Sequence, residues 1–154
     1  MKIVFYQPDI AANLAAMIRT AACLDLEIHI IEPCGFVFDM QKIKRVAMDY
    51  IDFVKIIRHN SFEDFYQKEI VENKSRLVLL TTKSKLSYYD FKFQNNDILM
   101  LGRESAGVPQ EVADLCHHQI TILMQNNMRS LNVGVAATLV IGESLRQIRT
   151  KDTN

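Results

Sequence analysis

Short apolar runs recur along the chain, and polar stretches with helical spacing separate them. Residues 2–7 alternate in polarity and are rich in β-branched and aromatic side chains, so they predict a first strand, broken by Pro8. Asn13 is expected to cap a helix reaching about Leu24, where Leu14, Met17, Ile18, Ala21 and Ala22 share one face. Residues 27–31 predict a second strand ending in Glu32-Pro33-Cys34-Gly35, and Asp39 a cap for a short helix. Residues 53–57 read as a third strand. Ser61 with Asp64 resembles a capping box for a helix to about Val71. Residues 76–82 form the expected fourth strand, with Val78-Leu79-Leu80 apolar enough for burial on both faces. Residues 98–101 and 119–123 predict strands five and six, with Pro109 opening a helix between them. Residues 133–148 close the chain as a helix, with Ala136, Ala137, Val140, Ile141, Leu145 and Ile148 at helical spacing.

Strands that alternate with helices imply an α/β fold, a mostly parallel sheet flanked by helices. No repeat or linker divides residues 1–154, so a single domain is expected. The composition, 49% hydrophobic and 23% charged, is that of a soluble globular protein. No apolar run has the length of a bilayer span, and Met1-Lys2 leads directly into a strand, so a cytoplasmic protein is expected.

Eighteen basic residues balance eighteen acidic ones, which argues against a uniformly basic nucleic-acid coat. Local clusters remain: Lys42, Lys44 and Arg45; Lys55, Arg58 and His59; Lys83 and Lys85. Each reads most simply as solvated surface. Cys23, Cys34 and Cys116 form no CxxC and suggest no disulfide framework. The adjacent Cys116-His117-His118 are poorly spaced to converge on one ion, so no metal is expected. His29, inside a strand, reads as a satisfied core histidine.

Two polar loops follow apolar strands, Gly102-Arg103-Glu104-Ser105-Ala106-Gly107-Val108-Pro109 and Arg129-Ser130-Leu131-Asn132. Loops at the C-terminal ends of strands are where open α/β sheets bind ligands. The first lacks the Lys and Ser or Thr that a P-loop needs after its second glycine, and no GxGxxG follows the first strand. The loops therefore offer backbone groups to a ligand, or are plain strand-to-helix turns. Arg19 reads as a solvated helix position, Glu104 as a partner for a cation or a helix dipole, and Arg129 as a phosphate ligand or surface.

Asn13-Leu14-Ala15-Ala16-Met17-Ile18-Arg19 resembles the first motif of the SpoU/TrmH class of the SPOUT superfamily of RNA methyltransferases. The two loops resemble the second and third motifs, the third extending to Val133, in the right order. Tyr6-x-Pro8, His29-Ile30-Ile31-Glu32-Pro33-x-Gly35-Phe36, Asp49-Tyr50 and Thr81-Thr82-Lys83 resemble its minimal subfamily, whose members methylate the ribose 2′-hydroxyl of the wobble nucleotide of certain leucine tRNAs. Ala15, Arg103, Ser105-Ala106, Gly134-Val135 and Gly142 depart from that subfamily's pattern.

The resemblance implies a deep C-terminal trefoil knot and an S-adenosylmethionine site. It places Leu80, Thr81, Gly102, Glu104, Gly107, Ile122, Met124, Ser130 and Leu131 at the cofactor. It gives Arg19, Ser130 and Asn132 catalytic roles, and Asn13, Arg19, Arg45 and Arg129 substrate contacts. An arginine is too weak an acid to serve as a base, so Arg19 is expected to bind a phosphate or the nascent alkoxide. The implied partners are a tRNA anticodon loop and a second copy of the chain, since one small neutral domain offers little RNA-binding surface. Gly134, Ala136, Ala137 and Gly142 on the last helix suit such a dimer contact or the chain's own sheet. Ribosomal RNA methylation and non-catalytic RNA binding are the alternatives.

Overall fold

A computed structural model describes residues 1–126 and 128–151. Six strands form one sheet: β1 (Lys2–Tyr6), β2 (Glu27–Ile31), β3 (Ile56–His59), β4 (Arg76–Leu80), β5 (Asp97–Leu101) and β6 (His118–Ile120). Their order across the sheet is β3-β2-β1-β5-β4-β6, and every pairing is parallel. Strand order reverses between β1 and β5, which opens a crevice at their C-terminal ends.

Alternation along the strands builds two cores. Ile3, Phe5, Ile28, Ile30, Val78, Leu99 and Leu101 face one side of the sheet, packed under α1 (Ala11–Leu24), α2 (Met40–Ala47) and α5 (Val133–Lys151). Val4, Tyr6, Ile31, Leu77, Leu79, Ile98 and Met100 face the other, against α3 (Phe62–Phe65), its π-helical continuation Tyr66–Glu72, and α4 (Gln110–Asp114). Burial of both faces explains why β5 is apolar at every position after Asp97.

Some local expectations shift. The first helix begins at Ala11 behind an extended Ile10 with no side-chain cap; Asn13 lies in its first turn and bonds across the fold instead. Asp39 does cap α2, accepting from Gln41 N and Lys42 N. Ser61 caps α3 by accepting from Asp64 N, while the Asp64 carboxylate faces His59 and Lys68. The third strand is displaced from 53–57 because the chain turns at Met48 (φ 58°) into a 3₁₀ segment, Met48–Phe53, anchored by buried Ile51. Phe53 is therefore exposed, and His59 enters the sheet in register with Ile31. The fourth and sixth strands end at Leu80 and Ile120. Thr121 turns away, bonding Leu86 and Tyr88 of the connection after β4.

The charge clusters separate by partner. Lys55 pairs with Glu27, Arg58 with Glu32, and Lys44 with Asp52. His59 is no surface cation: it is 1% exposed and stacked on fully buried His29, which confirms His29 as a core residue. Among the described residues no helix is long and apolar enough to cross a membrane, and no group of His, Cys, Asp or Glu is arranged to hold a metal.

Candidate cofactor site

A cavity of about 910 Å³ opens at the C-terminal ends of β4, β5 and β6, in the size range of small-molecule sites. Three loop regions wall it: the turn after Leu80, the loop 102–108, and Ile122 and Met124 together with residues 129–132. All nine residues expected at a cofactor line it: Leu80, Thr81, Gly102, Glu104, Gly107, Ile122, Met124, Ser130 and Leu131. Asn13, Arg129 and Asn132 join them. Leu79, Leu101, Val108, Val133 and Ala136 add apolar wall.

The two glycines of the central loop are required by backbone geometry. Arg103 N donates to Gly107 O at 2.9 Å and Gly107 N returns the bond to Arg103 O at 2.8 Å, closing the loop on itself. A side chain at Gly102 would place its Cβ 2.8 Å from the Gly107 backbone, and Gly107 has φ +67°, which L residues avoid. The loop can therefore bring N–H and C=O groups close to a ligand.

One hydrogen-bonded chain joins the loops. Glu104 accepts from Asp9 N at 2.8 Å and from Asn13 Nδ2 at 3.1 Å. Asn13 Oδ1 accepts from Asn132 Nδ2 at 3.0 Å, and Asn132 Oδ1 accepts from Gly134 N at 2.9 Å, capping α5. Both Glu104 carboxylate oxygens thus bind protein donors, so the side chain braces the loops while it lines the cavity, with acceptor capacity left on each oxygen. Asp9 is the hub that the sequence did not single out. It accepts from Arg103 Nη2 at 3.2 Å, Ser105 N at 3.1 Å and Ser105 Oγ at 2.5 Å. The Ser105 hydrogen bonds, with Arg103 beside them, hold its carboxyl below the usual range. Only contacts across some ninety residues reveal this role; a lone Asp after Pro8 carries no local signal.

Two expected residues stand apart. Arg19 and Arg45 do not line the cavity. Arg19 lies exposed on α1, its guanidinium 4.9 Å from the Tyr50 ring centroid, and Arg45 is exposed on α2. With about 100° per residue, Arg19 shares its side of α1 with Ala12, Ala16 and Cys23, turned away from Asn13. Arg129 and Ser130 are exposed at the cavity rim, where Lys83, noted in the sequence as part of a basic cluster and not as a site residue, also lies.

The site therefore has the make-up of a nucleoside-type pocket: backbone-rich loops at a topological switch point, apolar walls, and polar groups at the rim. Comparison with known proteins then assigns the chain. It matches the SpoU rRNA Methylase family over residues 1–142, and it belongs to that family. It is 48% identical over 146 residues to the tRNA (cytidine(34)-2′-O)-methyltransferase of Beijerinckia indica, covering 95% of this chain and 91% of that protein. It is 35% identical over 150 residues to the Escherichia coli protein of the same name, covering 96% and 94%. A solved structure concerned with 2-OH methylation of C or U at position 34 of tRNA superposes with a TM-score of 0.87 at 35% identity, covering 95% of this chain and 94% of that one. The methyltransferase AviRb of Streptomyces viridochromogenes, in complex with AdoMet, shares the fold: TM-score 0.85 at 23% identity, covering 96% of this chain and 60% of that one.

Proposed function

We propose that this protein transfers the methyl group of S-adenosylmethionine to the ribose 2′-hydroxyl of the wobble nucleotide of tRNA, with leucine tRNAs as the substrates. One observation carries the reading: the three motif regions, far apart in sequence, meet around one cavity through the Glu104–Asn13–Asn132 bonds. Identity to the Beijerinckia protein along almost the whole chain supports tRNA over the ribosomal alternative.

The residues present fit the cofactor. Leu80, Gly102, Gly107, Ile122, Met124 and Leu131 offer backbone groups and apolar wall for an adenosine, and the closed Gly102–Gly107 turn lets the ligand approach main chain directly. When bound, S-adenosylmethionine supplies an electrophilic methyl on a sulfonium. The chain must align the ribose hydroxyl with that methyl and stabilise the charge left as the hydroxyl loses its proton. Arg129 at the rim is suited to a flanking phosphate, with Ser130 beside it at the ribose. Arg19 carries the anion-stabilising role, as a fixed cation and not a base.

Arg19 is turned outward on α1, so the proposed enzyme is a homodimer in which α1 and α5 meet a second copy. Support comes from exposed apolar and small residues on two helices that pack together: Val135 and Leu139 are 53% and 46% exposed on α5, and Ala12 and Ala16 are exposed on α1. A basic contribution from two subunits, Arg45 included, then compensates for the neutral charge of one. In the same reading the C-terminal part is a trefoil knot, and the enzyme works in the cytoplasm with its tRNA.

The test is methylation of leucine tRNA transcripts by the purified protein with labelled S-adenosylmethionine, read by nucleoside mass spectrometry. The reading expects one 2′-O-methyl group at position 34, abolished by a 2′-deoxy nucleotide there. Methylation of ribosomal RNA alone, or cofactor binding with no product, overturns it.

A further inference from the structure

Arg19 is an exposed cation on the middle of a helix, yet its guanidinium is not free to wander. It sits over the ring of Tyr50, 4.9 Å from the centroid, inside cation–π range. Tyr50 belongs to the 3₁₀ segment Met48–Phe53, which packs against α1. That segment is anchored by Ile51, which is buried in the core; the chain enters it through a positive φ at Met48 (58°), and Asp52 pairs with Lys44 at 2.7 Å on the surface. The ring is half-buried, on a segment that packs against α1.

What holds Arg19 matters chemically. No carboxylate lies within ion-pair distance of Arg19 among the described residues, although Asp49 is adjacent to Tyr50 in sequence. A carboxylate partner would occupy the N–H donors and neutralise the charge. An aromatic face restrains the planar guanidinium while leaving its edge donors open. Arg19 is thereby ordered and still able to bind an oxyanion.

We propose that Tyr50 is a positioning residue for methyl transfer, pre-ordering the Arg19 guanidinium through its ring face. This rests on the assignment of Arg19 to the reacting hydroxyl or its neighbouring phosphate. The gain is entropic: an arginine already confined to one arrangement loses less freedom on meeting its anion. The Tyr50 hydroxyl plays no part, so an aromatic ring of similar size is sufficient.

The experiment is single-turnover kinetics on wild type, Arg19→Ala, Tyr50→Leu, Tyr50→Phe and a series in which position 50 carries progressively fluorinated phenylalanines. S-adenosylmethionine affinity is measured in parallel by calorimetry. The expected result is a loss of the methyl-transfer rate of about two- to fivefold in Tyr50→Leu, the size an exposed cation–π contact supports, with unchanged cofactor affinity. Tyr50→Phe should retain the rate, and the fluorinated series should lose it in step with the weakening ring quadrupole. Those rings keep the same shape, so a packing role would leave the series flat. A dead Arg19→Ala with a flat series, or with full activity in Tyr50→Leu, overturns the proposal and leaves the Arg19 assignment standing. An active Arg19→Ala removes the assignment and the proposal together, a result seen in that variant alone.

Discussion

Asn132 Nδ2 donates to Asn13 Oδ1 across 3.0 Å, joining residues 119 positions apart, while Asn132 Oδ1 caps α5 through Gly134 N and Val135 N. One side chain thus starts the last helix and ties it to the first. The two jobs separate by substitution. Asn132→Asp keeps an acceptor for the cap but presents a carboxylate to the Asn13 carbonyl oxygen. We expect it to preserve the thermal midpoint within a few degrees and to lower turnover by at least about tenfold. Asn132→Ala should also lose about 1 kcal/mol of stability. Equal turnover in wild type and Asn132→Asp would show that the bridge is immaterial.

Gly102→Ala tests the closed loop. The added Cβ meets the Gly107 carbonyl carbon and Cα at 2.8 Å, and backbone cannot rotate aside as a side chain can. The Arg103–Gly107 pair must open, displacing the pocket wall by a fraction of an ångström or more. Calorimetric affinity for S-adenosylmethionine should fall by about tenfold or more, since misplacement on that scale is costly. An unchanged dissociation constant would mean that the loop adapts freely.

Leu139→Glu addresses assembly. Leu139 is 46% exposed, so a glutamate there is compatible with one folded chain. Buried against a second copy, the charge would be desolvated and unpaired. Light scattering should report a shift from dimer to monomer, with the circular dichroism spectrum unchanged and methylation lost. A variant that stays dimeric excludes this face as the contact.

Stability should depend on pH through a buried relay. Burial pushes the Glu27 carboxyl up, but Lys55, His29 and Lys2 outweigh it and hold it at about 2. The ionised Glu27 accepts from His29 Nε2 at 2.7 Å, and His29 Nδ1 then accepts from His59 Nε2 at 2.8 Å. This network assigns the tautomers and leaves His59 Nδ1 a lone pair with no hydrogen-bond partner, 3.4 Å from Asp64. Burial lowers both histidine pKa values, against the pull of Glu27 on His29 and of Asp64 on His59.

The unfolded chain takes up protons on these histidines near pH 6.5, where the folded one resists them. Stability is therefore fully present above about pH 6.5 and declines as pH falls below it. The Glu27 contribution is lost lower, as pH falls from about 4.5 toward 2. Urea unfolding between pH 8 and 5 should show the first decline, and His59→Gln should make it shallower, with His29 still contributing. A wild-type curve that is level across that range would contradict the relay.

Much of this was legible along the chain. Alternation in residues 2–7 and 27–31 located β1 and β2, and the doubly apolar 98–101 run located β5, because burial on both faces leaves an unbroken hydrophobic stretch. The third strand was misplaced by three residues. Phe53 has strand-like chemistry, but a positive φ at Met48 and the burial of Ile51 turned that segment into a 3₁₀ coil. His59 looked like part of a basic cluster for the same reason: without the correct register, its place beside His29 was invisible.

The sequence by itself determined the sheet-and-helix alternation and the two glycines of the central loop, since periodicity and backbone freedom are local properties; the residues expected at the cavity came from the resemblance of three motifs to a known family. Only the tertiary structure decided that Asp9 gathers Arg103 and Ser105, that Glu104 is a brace, and that Arg19 stands over Tyr50 outside the pocket. Those pairings span tens of residues. Their strength depends on distance and burial, which a linear order of side chains does not contain.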